Sequence, residues 1–254
     1  MSEYTFFQII LAISFIVAVG TFVTLFFVSA PYGRHARHGW GPNLPNWLGW
    51  LLMESVSVIV MLVMFLIGSA PRTAATLTFL LMWEAHYLQR AFIYPFLLRD
   101  GQKKMPLAIP LMAVVFNLGN GYGNGRYLFH FSDGRYDTGW LLDPRFITGT
   151  LLFVAGFVIN RWADNSLRGL RQPGETGYKI PHGGLYCYIS CPNYFGEILE
   201  WVGWAIATWS LPGLAFAVWS FANLAPRAQA NHKWYYEQFS NYPLERKALI
   251  PGVW

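Results

Sequence analysis

The chain has 254 residues, of which 54% are hydrophobic, 18% are aromatic and only 12% are charged, and its net charge is +5. Soluble domains usually carry about 25% charged residues. The composition therefore excludes a disordered chain and an ordinary soluble enzyme, and it is typical of a protein that lies in a lipid bilayer. No dense stripe of Lys and Arg follows the sequence, so we expect no nucleic-acid partner.

Seven apolar segments predict seven transmembrane helices, because most of them reach the roughly 20 residues needed to cross hydrocarbon and an open strand edge is not stable in lipid. In chain order they are 5–29, 47–68, 73–98, 106–131, 144–163, 194–209 and 212–239. The first segment lacks the basic flank of a signal peptide and is too long to be one. We therefore predict an all-α integral membrane protein with a single domain over 1–254, in which 161–193 forms an ordered cytoplasmic loop.

The distribution of basic residues between the segments predicts the orientation. Thirteen Lys and Arg lie on the side of the first loop and the C-terminal tail, and three lie on the other side. The thirteen are Arg34, Arg37, Arg99, Lys103, Lys104, Arg161, Arg168, Arg171, Lys179, Arg227, Lys233, Arg246 and Lys247, and the three are Arg72, Arg135 and Arg145. The positive-inside rule places the N-terminus outside and the C-terminus in the cytoplasm.

Ionisable residues within the second and third segments are candidates for function. Glu54 lies in the second segment, and Glu84 and Arg90 lie in the third. Each costs at least roughly 2.5–3.5 kcal/mol inside a bilayer, so such residues are retained mainly where they act. Tyr87 and Arg90 fall on one helical face. The alternative is an internal polar network that only fixes helix packing.

Polar side chains also recur at the cytoplasmic ends of the last three segments. They share helical faces at spacings of three or four, and they predict the wall of a polar cavity open to the cytoplasm. The alternative is helix capping and loop anchoring. The sets are Asn160 with Asp164; Asn193 with Glu197 and either Glu200 or Trp201; and Asn231 with Tyr235.

Two further patterns carry little chemical information. The glycine-rich run 119–125 does not satisfy the GxGxxG pattern and lies within an apolar segment, so it indicates close helix packing or a kink rather than phosphate binding. Cys187 and Cys191 are read as small apolar residues, and since no Cys or His spacing fits zinc, we expect no metal.

The densest set of these residues resembles a known family. The run 160–212, NRWADNSLRGLRQPGETGYKIPHGGLYCYISCPNYFGEILEWVGWAIATWSLP, is similar to the C-terminal half of the steroid 5α-reductases. The runs HYLQRAFIYPFLL in the third segment and YPLERKALIP near the end belong to the same resemblance. The similarity covers most of the chain after Glu54. The family has seven transmembrane helices, in agreement with the number predicted above.

The resemblance implies NADPH-dependent reduction of the Δ4 double bond of 3-oxo-Δ4-steroids to 5α-3-oxosteroids. Glu54 and Tyr87 match the residues that hold the 3-oxo group, although Met53 stands where animal members often have Gln. We add Asn231 to the expected nucleotide contacts, and Arg168 as a partner of Arg171 for phosphate. The other nucleotide-contacting positions that the family implies are Asn160, Asp164, Arg171, Tyr178, Asn193, Glu197, Trp201 and Tyr235.

The implied chemistry explains why a donor pair is needed. Hydride adds to the C5 carbon of an enone only if the carbonyl oxygen is stabilised as it becomes an enolate, and two aimed donors supply that stabilisation. Tyr87 donates its phenolic proton, and Glu54 either donates as a protonated acid or, ionised, orients the Tyr87 hydroxyl. A proton reaches C4 from Tyr87 or water.

An apolar steroid or steroid-like substrate enters from the membrane, so we expect the bilayer and this substrate as partners, and no obligate protein partner. We expect a multi-pass protein of the endoplasmic reticulum membrane in a eukaryote or of the inner or plasma membrane in a bacterium. Three alternatives remain open: a reductase of another enone or enoyl lipid, a membrane methyltransferase that uses S-adenosylmethionine, and a seven-helix transporter or receptor.

Overall fold

The computed structural model describes residues 1–99, 103–172, 175 and 177–254. These residues form a mainly helical molecule with one small sheet, whose strands β1 (Asn43–Pro45) and β2 (Lys104–Pro106) pair antiparallel. The helices are α1 (Glu3–Phe27), α2 (Asn46–Ile67), α3 (Ala74–Leu88), α4 (Tyr94–Leu97), α5 (Ala108–Arg126), α6 (Pro144–Gly169), α7 (Pro192–Thr208) and α8 (Leu211–Gln238).

Two wide turns extend these helices without a break. The π-helical turn Gln89–Ile93 joins α3 to α4, and a second such turn, Tyr127–Phe131, continues α5. With α3 and α4 counted once, the described residues contain seven long helical rods. Each rod coincides with one of the seven predicted segments.

The main difference from the predicted bounds lies in α6. The apolar run ends near Ala163, where the sequence pattern ended the segment, but the helix continues to Gly169 because the polar residues beyond are compatible with helix. Asp143 caps its first turn by accepting a hydrogen bond from the Arg145 amide. The predicted loop 161–193 is therefore helical over its first nine residues, and α7 begins at Pro192.

Helices α1, α2 and α6 are long and apolar enough, by length and composition, to cross a membrane. The apolar window of α1 has a mean hydropathy of 2.6. Large apolar side chains such as Ile16, Leu66 and Leu151 point away from the protein on these helices. This pattern fits lipid rather than water as the surrounding solvent and indicates a membrane protein.

Glycines allow the closest helix contacts in the molecule. A Cβ atom on Gly156 of α6 would lie 2.3 Å from the Glu200 backbone nitrogen, and one on Gly196 of α7 would lie 2.6 Å from the Asn160 nitrogen. Small residues let backbones approach this closely. The α6–α7 contact sets the spacing between Asn160 and the polar residues of α7.

The glycine-rich run on α5 has the same packing role. A Cβ on Gly121 would lie 2.9 Å from a Val60 side-chain carbon, and one on Gly125 would lie 2.6 Å from the Met64 Cβ, both on α2. The prediction of close helix packing for 119–125 is thus confirmed at these two glycines. Helices α2 and α5 are held together along the face that carries Glu54 and Asn117.

An aromatic cluster fills the centre of the bundle. Trp83 on α3 lies between Trp201 and Trp204 of α7 and Phe216 of α8, with ring centroids 5.3–5.6 Å apart. Both the Trp83 and the Trp204 side chains are fully buried. The polar residues described below lie at one end of this cluster. In the predicted orientation, this end faces the cytoplasm.

Candidate active site

A cavity of about 180 Å³ lies where α4, α6, α7 and α8 meet. Among the residues that the structure describes, its wall carries five cationic side chains and one carboxylate, that of Asp164, so its interior favours an anion. Six of its residues are among the predicted nucleotide contacts: Asp164, Arg168, Arg171, Tyr178, Asn193 and Tyr235. The remaining lining residues are Arg34, Tyr94, Leu98, Arg99, Leu167 and Lys179.

Arg90 binds the carboxylates beneath this cavity. Its guanidinium donates to Asp164 Oδ2 at 3.0 Å and to Glu197 Oε2 at 3.4 Å, and it lies over the rings of Trp50 and Tyr94 at 4.8 and 4.5 Å. Arg90 is buried. A buried guanidinium with two carboxylates and two aromatic faces is a fully partnered cation, so it fixes α6 and α7 relative to the α3–α4 rod.

Amide side chains extend the same network. Asn193 donates to Asp164 Oδ1 at 3.2 Å. Asn160 donates to the Asn193 carbonyl at 2.8 Å and lies 3.4 Å from Glu197 Oε2. The predicted residues Asn160, Asp164, Asn193 and Glu197 therefore form one hydrogen-bonded group around Arg90.

The loop after α1 closes another side of the cavity. The Arg34 guanidinium lies over the rings of Tyr178, Trp234 and Tyr235 at 4.6–5.0 Å, and it donates to the Tyr235 hydroxyl at 3.5 Å. Its Nη1 atom is buried and has no hydrogen-bond partner among the described residues. Such an unsatisfied donor fits a ligand acceptor at this position.

Asn231 connects this loop to α7 and α8. Its amide oxygen accepts from the His35 ring at 3.1 Å, and its amide nitrogen donates to the Tyr194 hydroxyl at 3.4 Å. Burial lowers the pKa of His35 below its usual value, an effect that Arg34 reinforces. A neutral ring at pH 7 suits this hydrogen bond, and Asn231 supports the cavity wall without lining it.

Glu54 on α2 and Tyr87 on α3 are close enough to interact electrostatically. Tyr87 is buried and lies beside Ser57, one turn along α2 from Glu54, while Glu54 is partly buried and lies near Asn117 of α5. Electrostatic interactions connect Glu54 with Tyr87 and with Arg90. The pair therefore lies deeper than the cavity and is linked to it through Arg90.

Trp201 lies with this deeper pair rather than in the wall of the cavity. Its ring contacts those of Tyr87 at 5.8 Å and Phe216 at 4.1 Å. The predicted nucleotide contacts thus divide into a group that lines the cavity, a group that surrounds Arg90, Asn231 behind the cavity wall, and Trp201 beside Tyr87. This order runs from the cavity inward to the Glu54–Tyr87 pair.

Several residues of the site were missed by sequence reasoning as functional positions. Arg34 and Arg99 counted only toward orientation, although both line the cavity. His86 forms a buried hydrogen bond with Glu200, at 2.8 Å between Nδ1 and Oε1. The signal for Arg34 was the run Pro-Tyr-Gly-Arg-His, which fits the family resemblance, but no periodicity relates a loop to a helix 200 residues away.

Glu84 differs from the other intramembrane acids. It is buried, and neither of its carboxylate oxygens has a hydrogen-bond partner among the described residues. Arg90, which shares its segment, pairs with Asp164 and Glu197 instead. The structure gives no account of Glu84.

The chain is similar to a known protein family over its second part and to individual proteins over most of its length. The family model described as 3-oxo-5-alpha-steroid 4-dehydrogenase matches 103–254. The steroid 5-alpha-reductase DET2 of Gossypium hirsutum is 43% identical over 259 residues, which covers 100% of this chain and 99% of the relative.

Mammalian relatives are similarly close. The 3-oxo-5-alpha-steroid 4-dehydrogenase 1 of Bos taurus is 46% identical over 91% of this chain and 90% of its own length, and that of Homo sapiens is 45% identical over 87% and 85%. The family resemblance found in the sequence is confirmed. This chain belongs to the 3-oxo-5-alpha-steroid 4-dehydrogenase family and is an oxidoreductase that acts on a CH–CH bond.

Proposed function

We propose that this protein uses NADPH to reduce the Δ4 double bond of 3-oxo-Δ4-steroids, giving 5α-3-oxosteroids. The observation that carries the proposal is the presence of two neighbouring sites: a cationic cavity, and the partly buried Glu54 with the buried Tyr87. Arg90 pairs with Asp164 of the cavity and interacts electrostatically with Glu54. A polyanionic cofactor needs a cationic site, and an apolar enone needs a separate site among apolar residues. The cavity meets the cytoplasm in the proposed orientation, and the pair lies within the apolar bundle.

The residues of the cavity fit the phosphate groups of NADPH. Arg34, Arg168, Arg171 and Lys179 together supply donors that match phosphate oxygens, and Arg34 Nη1 has no hydrogen-bond partner in the described part of the chain. The excess of cations over the Asp164 carboxylate in the described lining favours the 2′-phosphate that distinguishes NADPH from NADH. The same excess disfavours S-adenosylmethionine, which carries a positive sulfonium.

The inner residues are proposed to bind the nicotinamide end. Asn160, Asn193 and Glu197 present amide and carboxylate groups for the carboxamide and ribose, and Trp201 and Tyr235 present rings for stacking. Asn231 and Tyr178 hold the wall against the bound nucleotide. When bound, NADPH supplies the hydride that C5 accepts.

Glu54 and Tyr87 perform the activation. The Tyr87 hydroxyl donates to the 3-oxo group, and Glu54 either donates a second hydrogen bond or orients that hydroxyl. Both interactions strengthen as negative charge moves onto the oxygen, so they stabilise the transition state more than the ground state. The enolate then takes a proton at C4 from Tyr87 or from water.

The bundle is proposed to span the membrane seven times, with the N-terminus outside and the C-terminus in the cytoplasm. The three long apolar helices support the membrane assignment. The basic residues around the cavity support a cytoplasmic position for it, because nucleotide cofactors are found there and the positive-inside rule agrees. The apolar substrate then reaches Tyr87 from the lipid.

The proposal is tested by NADPH oxidation in detergent-purified protein with testosterone or progesterone. We expect wild-type protein to yield the 5α product, and Tyr87→Phe and Glu54→Gln each to lose about 10²–10³-fold in kcat while they still bind NADPH. Tyr4→Phe, an exposed position on α1, is the matched control and should be unchanged.

Two results would contradict the proposal in different ways. NADPH binding without steroid turnover would keep a reductase and remove the steroid as substrate. Absence of NADPH binding in a monodisperse preparation would overturn the assignment of the cationic cavity and bring the methyltransferase or transporter forward.

A further inference from the structure

A hydrogen bond between two buried ionisable side chains lies directly behind the proposed catalytic pair. His86 Nδ1 and Glu200 Oε1 are 2.8 Å apart, and the side chains are 4% and 0% exposed. The two residues come from α3 and α7. Neither is needed to stabilise charge on the substrate, because the proposed donors are Glu54 and Tyr87.

Each partner is adjacent in the chain to a residue of the inner site. His86 precedes Tyr87, and Glu200 precedes Trp201. The His86 ring also packs edge-on against Tyr87 at 5.0 Å and against Trp201 at 4.7 Å. A displacement of His86 or Glu200 would therefore also displace the rings of Tyr87 and Trp201.

Ring contacts also join α3 to α7. Phe79 and Trp83 meet Trp204, and Trp83 and Tyr87 meet Trp201. Ring contacts tolerate sliding and rotation at small energetic cost, whereas a hydrogen bond requires defined distance and direction. The His86–Glu200 bond thus adds a directional contact beside Tyr87 and Trp201, one turn from the bond that Arg90 of the same rod makes with Glu197 of α7.

Burial makes this bond expensive to keep for stability alone. Replacing a buried polar pair by apolar residues of similar volume is often neutral or stabilising. Within the described ranges, Glu200 Oε2 is buried without a hydrogen-bond partner, as are Arg161 Nε and Nη1, and Arg161 exerts an electrostatic effect on Glu200. A polar pair that leaves atoms unsatisfied is better explained by the register it imposes than by the free energy it supplies.

We propose that His86 and Glu200 are positioning residues for the reduction: their hydrogen bond fixes Tyr87 and Trp201 relative to each other, so that the Tyr87 hydroxyl points at the substrate oxygen while the nicotinamide lies beside Trp201. The proposal rests on the function proposed above. It assigns these two residues no contact with the reacting atoms.

Single-turnover kinetics test the role, because they separate the rate of the chemical step from the fraction of active protein. Enzyme preloaded with NADPH is mixed with saturating steroid, and NADPH consumption is followed. Glu200→Met and His86→Leu each remove one partner of the hydrogen bond, whereas Glu200→Gln and His86→Asn each keep an amide that can donate or accept. We expect the Met and Leu variants to lower the rate constant about 10- to 100-fold at wild-type amplitude and NADPH affinity, and the Gln and Asn variants to restore most of it.

A second measurement asks whether the pair acts through Tyr87. In a Tyr87→Phe background, Glu200→Met should lower the residual rate by much less than it does in wild-type protein, because residues that act as a unit are not additive. Equal losses in the two backgrounds would contradict the proposal.

The remaining outcomes are also decisive. A reduced amplitude with an unchanged rate constant would show a folding role only and overturn the proposal, as would failure of both Glu200→Met and His86→Leu to give monodisperse protein. Absence of turnover in wild-type protein would instead refute the proposed function, so the two failures are distinguishable.

Discussion

Arg90 pairs with Asp164 in the wall of the cavity and interacts electrostatically with Glu54, and its surroundings explain how a full charge is stable in the bundle. Two carboxylates and two aromatic rings partner it. Removal of one partner from a buried charged group costs far more than the interaction of an exposed ion pair. Substitution of Arg90 or of one of its partners should therefore have a large effect, as the next prediction states for NADPH binding.

Arg90→Lys is expected to weaken NADPH binding by about tenfold or more. An ammonium cannot donate to Asp164 and Glu197 in the same fork geometry, and a charge-assisted hydrogen bond contributes roughly 1.5–3 kcal/mol. Fluorescence titration of NADPH measures the effect. Arg145→Lys, at the opposite end of the bundle, is the control, and equal affinities in Arg90→Lys and wild-type protein would contradict the role assigned to Arg90.

Asp143 gives a pH prediction outside the membrane. Hydrogen bonds from the Arg145 side chain and amide lower the pKa of the Asp143 carboxyl to about 2. A carboxyl with a lowered pKa stabilises the fold above its unfolded pKa of roughly 4, and this contribution is lost as the pH falls toward 2. Asp143→Asn should thus lower Tm slightly at pH 7, and the difference from wild type should shrink between pH 4 and pH 2.

That difference is measured by thermal unfolding in detergent across this pH range. An Asp143→Asn difference that stays constant from pH 7 down to pH 2 would show that the ionised carboxyl does not cap α6. Asp133→Asn, a change at an exposed acid on the same side of the bundle, is the control.

At the scale of elements, the contact between α6 and α7 determines the geometry of the nucleotide-facing residues. Gly149 and Gly156 of α6 meet Gly203 and Gly196 of α7 in antiparallel order, and added Cβ atoms would lie 2.2–2.6 Å from the facing backbone. Backbone atoms cannot move aside as a flexible side chain can. The helices must separate if either surface grows.

Gly156→Ala is therefore expected to lower Tm and to weaken NADPH binding together. Overpacking costs about 1–3 kcal/mol, and separation of the helices breaks the bonds between Asn160 and α7. Gly20→Ala on α1 meets nothing within 4 Å and should instead be neutral or slightly stabilising, since alanine favours helix. Similar behaviour of the two variants in melting and titration would contradict this account.

The existence of these elements could be predicted from the sequence, because apolar runs of about 20 residues have few structural solutions in lipid. The end of α6 could not be predicted in this way, since hydropathy marks the limit of the apolar run and not the limit of the helix. Likewise, spacing placed Asn160 with Asp164 and Asn193 with Glu197. The bonds between these two faces depend on how α6 and α7 pack, which periodicity does not contain.

At the scale of the whole molecule, the first loop brings Arg34 to a cavity otherwise built by Tyr94, Leu98 and Arg99 and by the second half of the chain. Sequence patterns relate residues along one element, so they cannot join Arg34 to Tyr235. Glu54 and Tyr87 are proposed as site residues from the family resemblance, and Glu54 also from its cost in an apolar segment. The hydrogen bond between His86 and Glu200 could be found only from the three-dimensional structure, because no sequence pattern pairs these two residues.

The proposed orientation predicts that a cysteine introduced at Thr138 and the native Cys187 are accessible from opposite sides of the membrane. Cys187 is exposed in the connection between α6 and α7, and Cys191 is buried. In sealed right-side-out vesicles, a membrane-impermeant maleimide should label Thr138→Cys in a Cys187→Ser background, because Thr138 lies in the α5–α6 connection. It should leave Cys187 of wild-type protein unlabelled until the vesicles are opened. The reverse pattern would invert the topology.

Transfer of isotope from cofactor to substrate tests the central claim most directly. Purified protein is supplied with NADPH that carries deuterium at C4 of the nicotinamide and with testosterone, and the product is analysed by mass spectrometry and NMR. The account predicts one deuterium at C5 of the 5α product, and one at C4 when unlabelled NADPH is used in deuterated water. Product without deuterium at C5, or no product from protein that binds NADPH, would contradict it.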